Sequence, residues 1–282
     1  MYGNRKMTNL IYTVHFDIDE KELDIDDVEK NLYTKRQLEK YKKDLSFNKF
    51  RYSMEIDDCD FICFDDKEDL KEFAKKFINT PLYTIINFYK LHLLDKLSDE
   101  YDNILYLDQD VYIDTAVNIF KELDKGIYVW HKDVKEQLIE YINFYKERQL
   151  YSRSYLNKCV STLATSYTFD WPINYNKYNT GVILANKDAI KQLKITENLN
   201  FLVANRAEIT YNNDMPESFK SKFELNNEAF FANIVSKERV DVTDLEDKWH
   251  HILNYENKEE DFKNSNSYFY HFINKEFSWC FS

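Results

Sequence analysis

Two carboxylates placed one residue apart carry the clearest chemical signal in the sequence. Asp108 and Asp110 flank Gln109 directly after the apolar run 104–107, and apolar residues return at 111–113. The apolar run predicts a short strand buried on both faces, as in parallel sheets. Because open α/β folds bind ligands at the carboxyl ends of their strands, we expect both acids at a binding edge.

Carboxylates this close repel each other, so keeping both ionised in a half-buried place is costly unless a cation or a proton lies between them. Mg²⁺ or Mn²⁺ suits such a place, because hard divalent ions take oxygen ligands and leave positions open for water or phosphate. A solvated turn after the strand explains the same residues, since Asp is common in turns. The triplet alone leaves both interpretations open.

Three segments resemble motifs of glycosyltransferase family 8. Residues 101–113, YDNILYLDQDVYI, resemble its signature strand, which ends in a metal-binding Asp-x-Asp motif. Residues 179–184, NTGVIL, resemble its F-N-[AS]-G-V-[ML]-L segment. His271 and Trp279 match the first and last positions of its late H-[YF]-x-G-x-x-K-P-W motif. Three motifs in the right order are far more specific than a lone Asp-x-Asp pair.

The resemblance implies an α/β fold of the glycosyltransferase A type (GT-A), the nucleotide-diphospho-sugar transferase fold, with a Rossmann-like, mixed and mostly parallel sheet flanked by helices. It implies a single GT-A domain over residues 1–282, in which residues 240–282 form a C-terminal segment that closes the donor site. The implied reaction moves a hexose from a UDP-sugar, of the UDP-glucose or UDP-galactose type, to an acceptor hydroxyl, with retention at the anomeric carbon. The acceptor would be a glycan, a protein or a lipid-linked group.

The resemblance also implies the site residues. Asp108, Asp110 and His271 would hold Mn²⁺ or Mg²⁺. Asn227 and Glu228, at the start of a predicted helix, would act beside the anomeric carbon. The implied substrate contacts are His15, Asp17, Lys90, Asp108, Gln109, Asn179, Thr180, Gly181, Asn226 and Lys275.

Several of these residues also have an ordinary structural explanation. Asn226 fits a helix cap, because an Asn side chain accepts hydrogen bonds from the first backbone N–H groups of a helix. Lys90 could be a solvated lysine. His15 and Asp17 could be polar residues at the end of a strand.

The chain departs from the family pattern at two places. Residues 226–228 are Asn-Asn-Glu where the family has Asp-Gln-Asp. In the late motif Asn274, Phe277 and Ser278 stand where the family has glycine, lysine and proline. Lys275 could replace the missing cation.

His250 and His251 form the other histidine cluster of the chain, next to Trp249 in a predicted loop. Nothing in the sequence ties them to the three motifs. We therefore expect His250 to take no part in metal binding and to serve as a matched control for His271.

Composition excludes some functions. At 282 residues and 44% hydrophobic content the chain can bury a large core. A net charge of −12 argues against nucleic acid as a partner, since that binding relies on clustered Lys and Arg. Four cysteines without zinc-site spacing, and the lack of a long apolar run, predict a cytoplasmic chain with no transmembrane segment.

Two other functions stay open at this point. A metal-dependent phosphohydrolase or nuclease also uses paired carboxylates, although it usually needs more acids or histidines around a second metal. A degenerate, non-catalytic nucleotide-sugar-binding protein is compatible with the altered late motif.

Overall fold

The computed structural model describes residues 8–16, 59–114, 117–122, 125–140, 154–211, 223–253 and 258–272. Residues 135–140 are helical. The other elements, in chain order, are β1 (Asn9–Val14), β2 (Cys59–Phe64), α1 (Lys67–Ala74), α2 (Leu82–Leu97), β3 (Asn103–Leu107), β4 (Val111–Ile113), α3 (Ile119–Glu122), β5 (Ile127–Asp133), α4 (Ser154–Phe169), β6 (Asn176–Asn186), α5 (Lys187–Leu193), α6 (Ile195–Tyr211), α7 (Asn227–Glu238), β7 (Val242–Thr243), β8 (His251–Leu253), α8 (Lys258–Asn264) and β9 (Phe269–Phe272).

The main sheet has six strands in the order β2-β1-β3-β6-β5-β7. β1 runs parallel to β2 and β3, and β7 runs parallel to β5. β6 runs antiparallel to both of its neighbours, β3 and β5. The predicted α/β fold with a mixed, mostly parallel sheet and flanking helices is confirmed.

Strand β3 lies inside this sheet and is buried on both faces, as its apolar sequence predicts. Ile104 and Tyr106 join the large core on one face, and Leu105 and Leu107 join the core on the other. Each fully buried aliphatic side chain of this kind stabilises the fold by about 1.5–3 kcal/mol. The carboxyl end of β3, which carries Asp108, is therefore held by packing from above and below.

The two faces of the sheet are covered differently. α2 and α7 pack on one face and fill its core with aromatic side chains such as Phe88 and Phe230. On the other face Trp249 and Phe269 pack against residues of β3 and β6. Phe269 belongs to a second, three-stranded sheet in the order β4-β9-β8, and Trp249 lies two residues before its strand β8.

This second sheet brings the late part of the chain back to the carboxylates. β4 begins directly after Asp110 and pairs antiparallel with β9, so that Val111 faces His271. The backbone N–H of Phe272 donates a hydrogen bond to the carbonyl of Asp110 at 2.8 Å. β8 pairs parallel with β9 on its other side, with Ile252 facing His271.

Strand β6 is irregular where it passes the end of β3. Val129 of β5 pairs with Ile183, but the next residue, Trp130, pairs with Asn179, so residues 180–182 have no counterpart in β5. Insertions of this kind bend a strand and re-aim its side chains, and they are common beside active sites. Here the insertion places residues 180–182 against the end of β3.

One helix start differs from its prediction. The sequence Thr80-Pro81 predicts a threonine cap for α2, but Pro81 occupies the cap position and no side chain caps the helix. The Thr80 hydroxyl instead accepts a hydrogen bond from Arg206 Nη1 of α6 at 2.8 Å. The hydroxyl that the local pattern assigned to the helix cap therefore makes a tertiary contact instead. The sequence also predicts a helix over residues 132–150. Residues 132 and 133 belong to β5 instead, the helix begins at residue 135, and residues 141–150 lie outside the described part of the chain.

Candidate metal and donor site

Asp108, Asp110 and His271 come together at the carboxyl end of β3. One ligand atom from each lies within 4.8 Å of the others. His271 Nε2 lies 3.2 Å from Asp110 Oδ1 and 4.0 Å from Asp108 Oδ2. Among the residues that the structure describes, this is the one group of three candidate ligands. The predicted convergence of two motifs that lie far apart in the chain is confirmed.

The donor set suits a divalent cation. Two carboxylates and one imidazole nitrogen match the preferences of Mn²⁺ and similar ions, and Mg²⁺ accepts the two carboxylates most readily. Asp110 and His271 are each 5% exposed, whereas the Asp108 side chain is 26% exposed. Two ligands are therefore buried and one faces the solvent, which leaves an open side for a further ligand.

The charges around His271 favour its protonated form in the protein alone. Burial works to lower the pKa of His271, but the carboxylates of Asp110 and Asp108 outweigh burial and raise that pKa above its ordinary value. A cation would take over this role, since it also places positive charge beside both carboxylates. The three residues thus fit a divalent cation.

Lys90 of α2 is buried, with 3% of its surface exposed. Its Nζ donates to Asp108 Oδ1 at 3.0 Å and to the carbonyl of Thr180 at 3.2 Å. The alternative of a solvated lysine is therefore wrong. The cost of desolvation offsets much of the Coulomb attraction in a buried ion pair. We therefore infer that this pair positions Asp108 and adds little to the stability of the fold. The expected contact of Lys90 with the donor stays a prediction.

Two tyrosines complete the surroundings of Asp108 and Lys90. The Tyr106 hydroxyl donates to Asp108 Oδ1, and its ring lies under Lys90 Nζ, 4.9 Å from the ring centroid. The Tyr12 hydroxyl donates to the carbonyl of Lys90 at 2.6 Å. Burial, followed by the charge of Asp108, raises the pKa of Tyr12 well above its ordinary value. Tyr12 thus acts as a neutral donor.

Gln109 and His15 connect the Asp-x-Asp turn to the end of β1. Gln109 is buried, and its Nε2 donates to the carbonyl of Val14 at 2.7 Å. Its Oε1 lies 3.0 Å from His15 Nδ1. Both polar atoms of the Gln109 amide are therefore engaged within the protein. This arrangement fixes the turn, and the predicted substrate contacts of Gln109 and His15 remain untested.

The inserted residues of β6 line the site from the other side. The carbonyl of Gly181 accepts from the Asp108 N–H at 2.7 Å, and Asn179 Oδ1 accepts from the Gly181 N–H at 2.9 Å. The Thr180 hydroxyl accepts from Asn227 Nδ2 at 2.7 Å. This last bond connects the second motif to the start of α7 and orients the Asn227 amide.

The start of α7 gives each of its three polar residues a different environment. Asn226 is the N-cap, and its Oδ1 accepts from the N–H groups of Glu228 and Ala229 at 2.9 and 3.1 Å. The cap explanation for Asn226 is thus confirmed. Glu228 forms an ion pair with Lys158 of α4, a partner that sequence reasoning missed. Its carboxylate is therefore not free.

His250 contradicts the expectation that it lies apart from the site. It is fully buried, and its Nε2 lies 2.9 Å from His271 Nδ1. The choice of His250 as an unrelated control was wrong, because the pairing of β8 with β9 sets the two histidines side by side. No local pattern in the sequence predicts this strand pairing.

The position of Tyr106 beside Asp108, in contrast, follows from the sequence. Tyr106 stands two residues before Asp108, and on a strand this spacing puts two side chains on one face.

Three predicted residues lie outside the described part of the chain, namely Asp17, Lys275 and Trp279. Their expected roles remain predictions. Among the described residues, no helix combines the length and the apolar character needed to cross a membrane.

No protein-family model matches this chain, and no curated protein matches it. Structures of glycosyltransferases are its neighbours among solved structures. The apo form of mouse xyloside xylosyltransferase 1 has 15% identity and a TM-score of 0.48, over 94% of this chain and 97% of that one. The galactosyltransferase LgtC with donor and acceptor sugar analogues has 13% identity and a TM-score of 0.42, over 93% and 86%. At these identities and TM-scores, the two neighbours establish neither a family nor a function for this chain.

A methyl group at position 181 should disturb the metal site. A Cβ there would lie 2.3 Å from His271 Cε1 and 2.6 Å from His271 Nδ1, so the imidazole or the strand must move. We expect Gly181→Ala to weaken Mn²⁺ binding by about tenfold or more, measured by the EPR signal of free Mn²⁺.

Gly126→Ala is the matched control. Gly126 has a φ of +140°, and a Cβ there would meet nothing within 4 Å. This variant should lose stability through backbone strain but keep its Mn²⁺ affinity. Normal Mn²⁺ binding by Gly181→Ala would contradict the close approach of His271 to this strand.

The cap assignment of Asn226 can be tested by stability alone. We expect Asn226→Ala to lower the free energy of unfolding by about 1 kcal/mol, because two N–H groups of α7 lose their acceptor. Asn226→Asp should retain most of that stability, since a carboxylate accepts the same bonds. Urea unfolding distinguishes the two variants, and equal losses in both would refute the cap.

Proposed function

We propose that this protein is a metal-dependent, retaining glycosyltransferase of family 8 with a GT-A fold. It transfers a hexose from a UDP-sugar, of the UDP-glucose or UDP-galactose type, to the hydroxyl of a glycan, protein or lipid-linked acceptor. The observation that carries this proposal is the meeting of Asp108, Asp110 and His271 beside the inserted segment at Thr180 and Gly181. The resemblance assigned these residues to three separate motifs, and one site contains residues of all three.

The residues around the carboxylates act mainly by preorganisation. Lys90 and Tyr106 hold Asp108, while the small sheet holds Asp110 and His271. A divalent cation, when bound by these three ligands, supplies the positive charge that stabilises the departing UDP diphosphate. Because the ligands are already in place before the reaction, little reorganisation is needed at that step. Lys90 adds a second positive charge beside Asp108.

Asn227 is our candidate for the contact beside the anomeric carbon. Its Nδ2 is held by Thr180 Oγ1, which fixes the amide plane and leaves Oδ1 to orient a sugar or an acceptor hydroxyl. An amide is a poor nucleophile, and Glu228 is tied to Lys158. These contacts favour attack of the acceptor from the face on which UDP departs, over a covalent glycosyl intermediate.

The rival functions receive less support. A two-metal phosphohydrolase needs further acids or histidines around a second ion. The described residues supply one group of three. A degenerate binder would not need its metal ligands held by Lys90, Tyr106 and the small sheet. A cytoplasmic location and a single domain closed by residues 240–282 complete the proposal, and both rest on the sequence alone.

Release of UDP tests the function directly. The purified protein is incubated with a panel of nucleotide sugars, with and without Mn²⁺, and free UDP is measured. We expect release from one donor class, dependent on Mn²⁺, and background release from Asp110→Asn, because the amide keeps the shape of Asp110 but loses its charge.

The same assay separates the alternatives. Release of phosphate from simple esters would support the hydrolase. Binding of UDP-sugar without turnover at any acceptor would support the degenerate binder. Wild-type activity in Asp110→Asn would remove the carboxylate pair from the mechanism.

Asn227→Ala and Glu228→Gln should lower kcat more than they raise the donor KM. Groups beside the anomeric carbon act mainly on the transition state, so we expect kcat to fall at least about tenfold while KM changes less than about threefold. Steady-state UDP release measures both constants. A glycosyl adduct trapped on Glu228 and identified by mass spectrometry would instead establish a covalent route.

A further inference from the structure

Among the described residues, the imidazole of His250 makes one hydrogen bond, and its partner is His271. Its Nε2 lies 2.9 Å from His271 Nδ1, and the two rings stack with centroids 5.1 Å apart and planes 22° from parallel. The other ring nitrogen, Nδ1, has no hydrogen-bond partner among the described residues, although it is buried. The contact joins two imidazole nitrogens, so one of them donates the hydrogen bond and the other accepts it.

A buried histidine with one unpaired nitrogen is a poor choice for packing alone. Leaving a polar atom without a partner in the core costs stability, whereas an apolar side chain of similar size would fill the same space without that cost. The polar atoms of His250 therefore call for an explanation outside core packing.

The geometry of His271 supplies that explanation. Its Nε2 faces the two carboxylates, and its Nδ1 faces His250. To bind a cation through Nε2, the neutral ring must carry its proton on Nδ1, and the hydrogen bond made by Nδ1 decides whether it does. A neutral His250 with its own proton on Nδ1 presents an acceptor at Nε2, at the distance needed.

We propose that His250 is a positioning residue for the metal site. Its Nε2 accepts a hydrogen bond from the Nδ1–H of His271. This bond holds the His271 ring with its Nε2 lone pair directed at the cation position between Asp108 and Asp110. Partners of this kind fix the tautomer and the orientation of metal-binding histidines. The inference deepens the proposed function and rests on its metal site.

Two other contacts confine the same ring. Gly181 lies against Cε1 and Nδ1 of His271, so the ring cannot shift toward β6. Asp110 lies in front of Nε2. His250 is the one contact of the three that can select the tautomer, because it alone meets Nδ1 with a hydrogen-bonding atom.

A matched pair of variants tests this role. Gln can place an amide oxygen near the position of His250 Nε2, whereas Met has a similar shape and no strong acceptor. We expect His250→Met to weaken Mn²⁺ binding about 10- to 100-fold and His250→Gln to stay within about threefold of wild type. The EPR signal of free Mn²⁺ gives the affinity, and thermal unfolding in EDTA gives the stability of the metal-free protein.

The stability of the metal-free protein separates positioning from packing. His250→Met removes the unpaired Nδ1 of His250 but leaves Nδ1 of His271 without a partner. The number of unpaired buried nitrogens stays the same, so Tm in EDTA should change little. A residue that served only packing would shift Tm in EDTA and leave Mn²⁺ affinity unchanged. His251→Gln is the control, because His251 contacts the Tyr270 ring and is expected to change neither quantity.

Three outcomes would overturn the inference. They are wild-type Mn²⁺ affinity in His250→Met, an equal loss of affinity in His250→Met and His250→Gln, and failure of both variants to fold. Asp110→Asn distinguishes this failure from failure of the proposed function. If Asp110→Asn loses Mn²⁺ while His250→Met retains it, only the positioning role fails. If Asp110→Asn also binds Mn²⁺ normally, the metal site and the proposed function fail with it.

Discussion

The repulsion between Asp108 and Asp110 is the constraint on which the rest of the site depends. Two carboxylates separated by one residue, with Asp110 buried, need positive charge close by. The protein supplies it from two directions, with Lys90 on Asp108 and His271 on Asp110. Lys90 belongs to the helix before β3, whereas His271 belongs to a strand near the far end of the described chain. The fold must therefore bring distant segments to one point.

Each structural feature near the site serves that meeting. Packing on both faces of β3 fixes where the acids emerge, and the small sheet pairs β4 with β9 so that His271 falls beside Asp110. The insertion in β6 brings the Gly181 carbonyl to the Asp108 N–H, and the missing side chain of Gly181 leaves room for the imidazole. A larger residue at position 181 would remove that room. The same few residues thus neutralise the carboxylates and allow the strands to approach each other closely.

The sequence predicted those parts of this arrangement that local patterns encode. The apolar run before Asp108 predicted a doubly buried strand, and the resemblance of three segments to family motifs implied that His271 joins the acids. The partner histidine could not be predicted, because the contact between His250 and His271 depends on the pairing of β8 with β9, and neither strand has a distinctive pattern. The Glu228–Lys158 pair was missed for the same reason, since it joins two helices that no sequence spacing relates. Thr80 shows the converse, because the local pattern predicted a helix cap and its hydroxyl instead makes a tertiary contact with Arg206.

The proposed chemistry requires that Asp108, Asp110 and His271 hold a single divalent cation. Crystals of the wild-type protein grown with Mn²⁺ and UDP would test it most directly, through an anomalous difference map recorded at the manganese absorption edge. We expect one strong peak, coordinated by carboxylate oxygens of both aspartates and by Nε2 of His271, with UDP phosphate oxygens completing the shell. A map without a peak at this position, or a manganese ion bound there without His271, would contradict it.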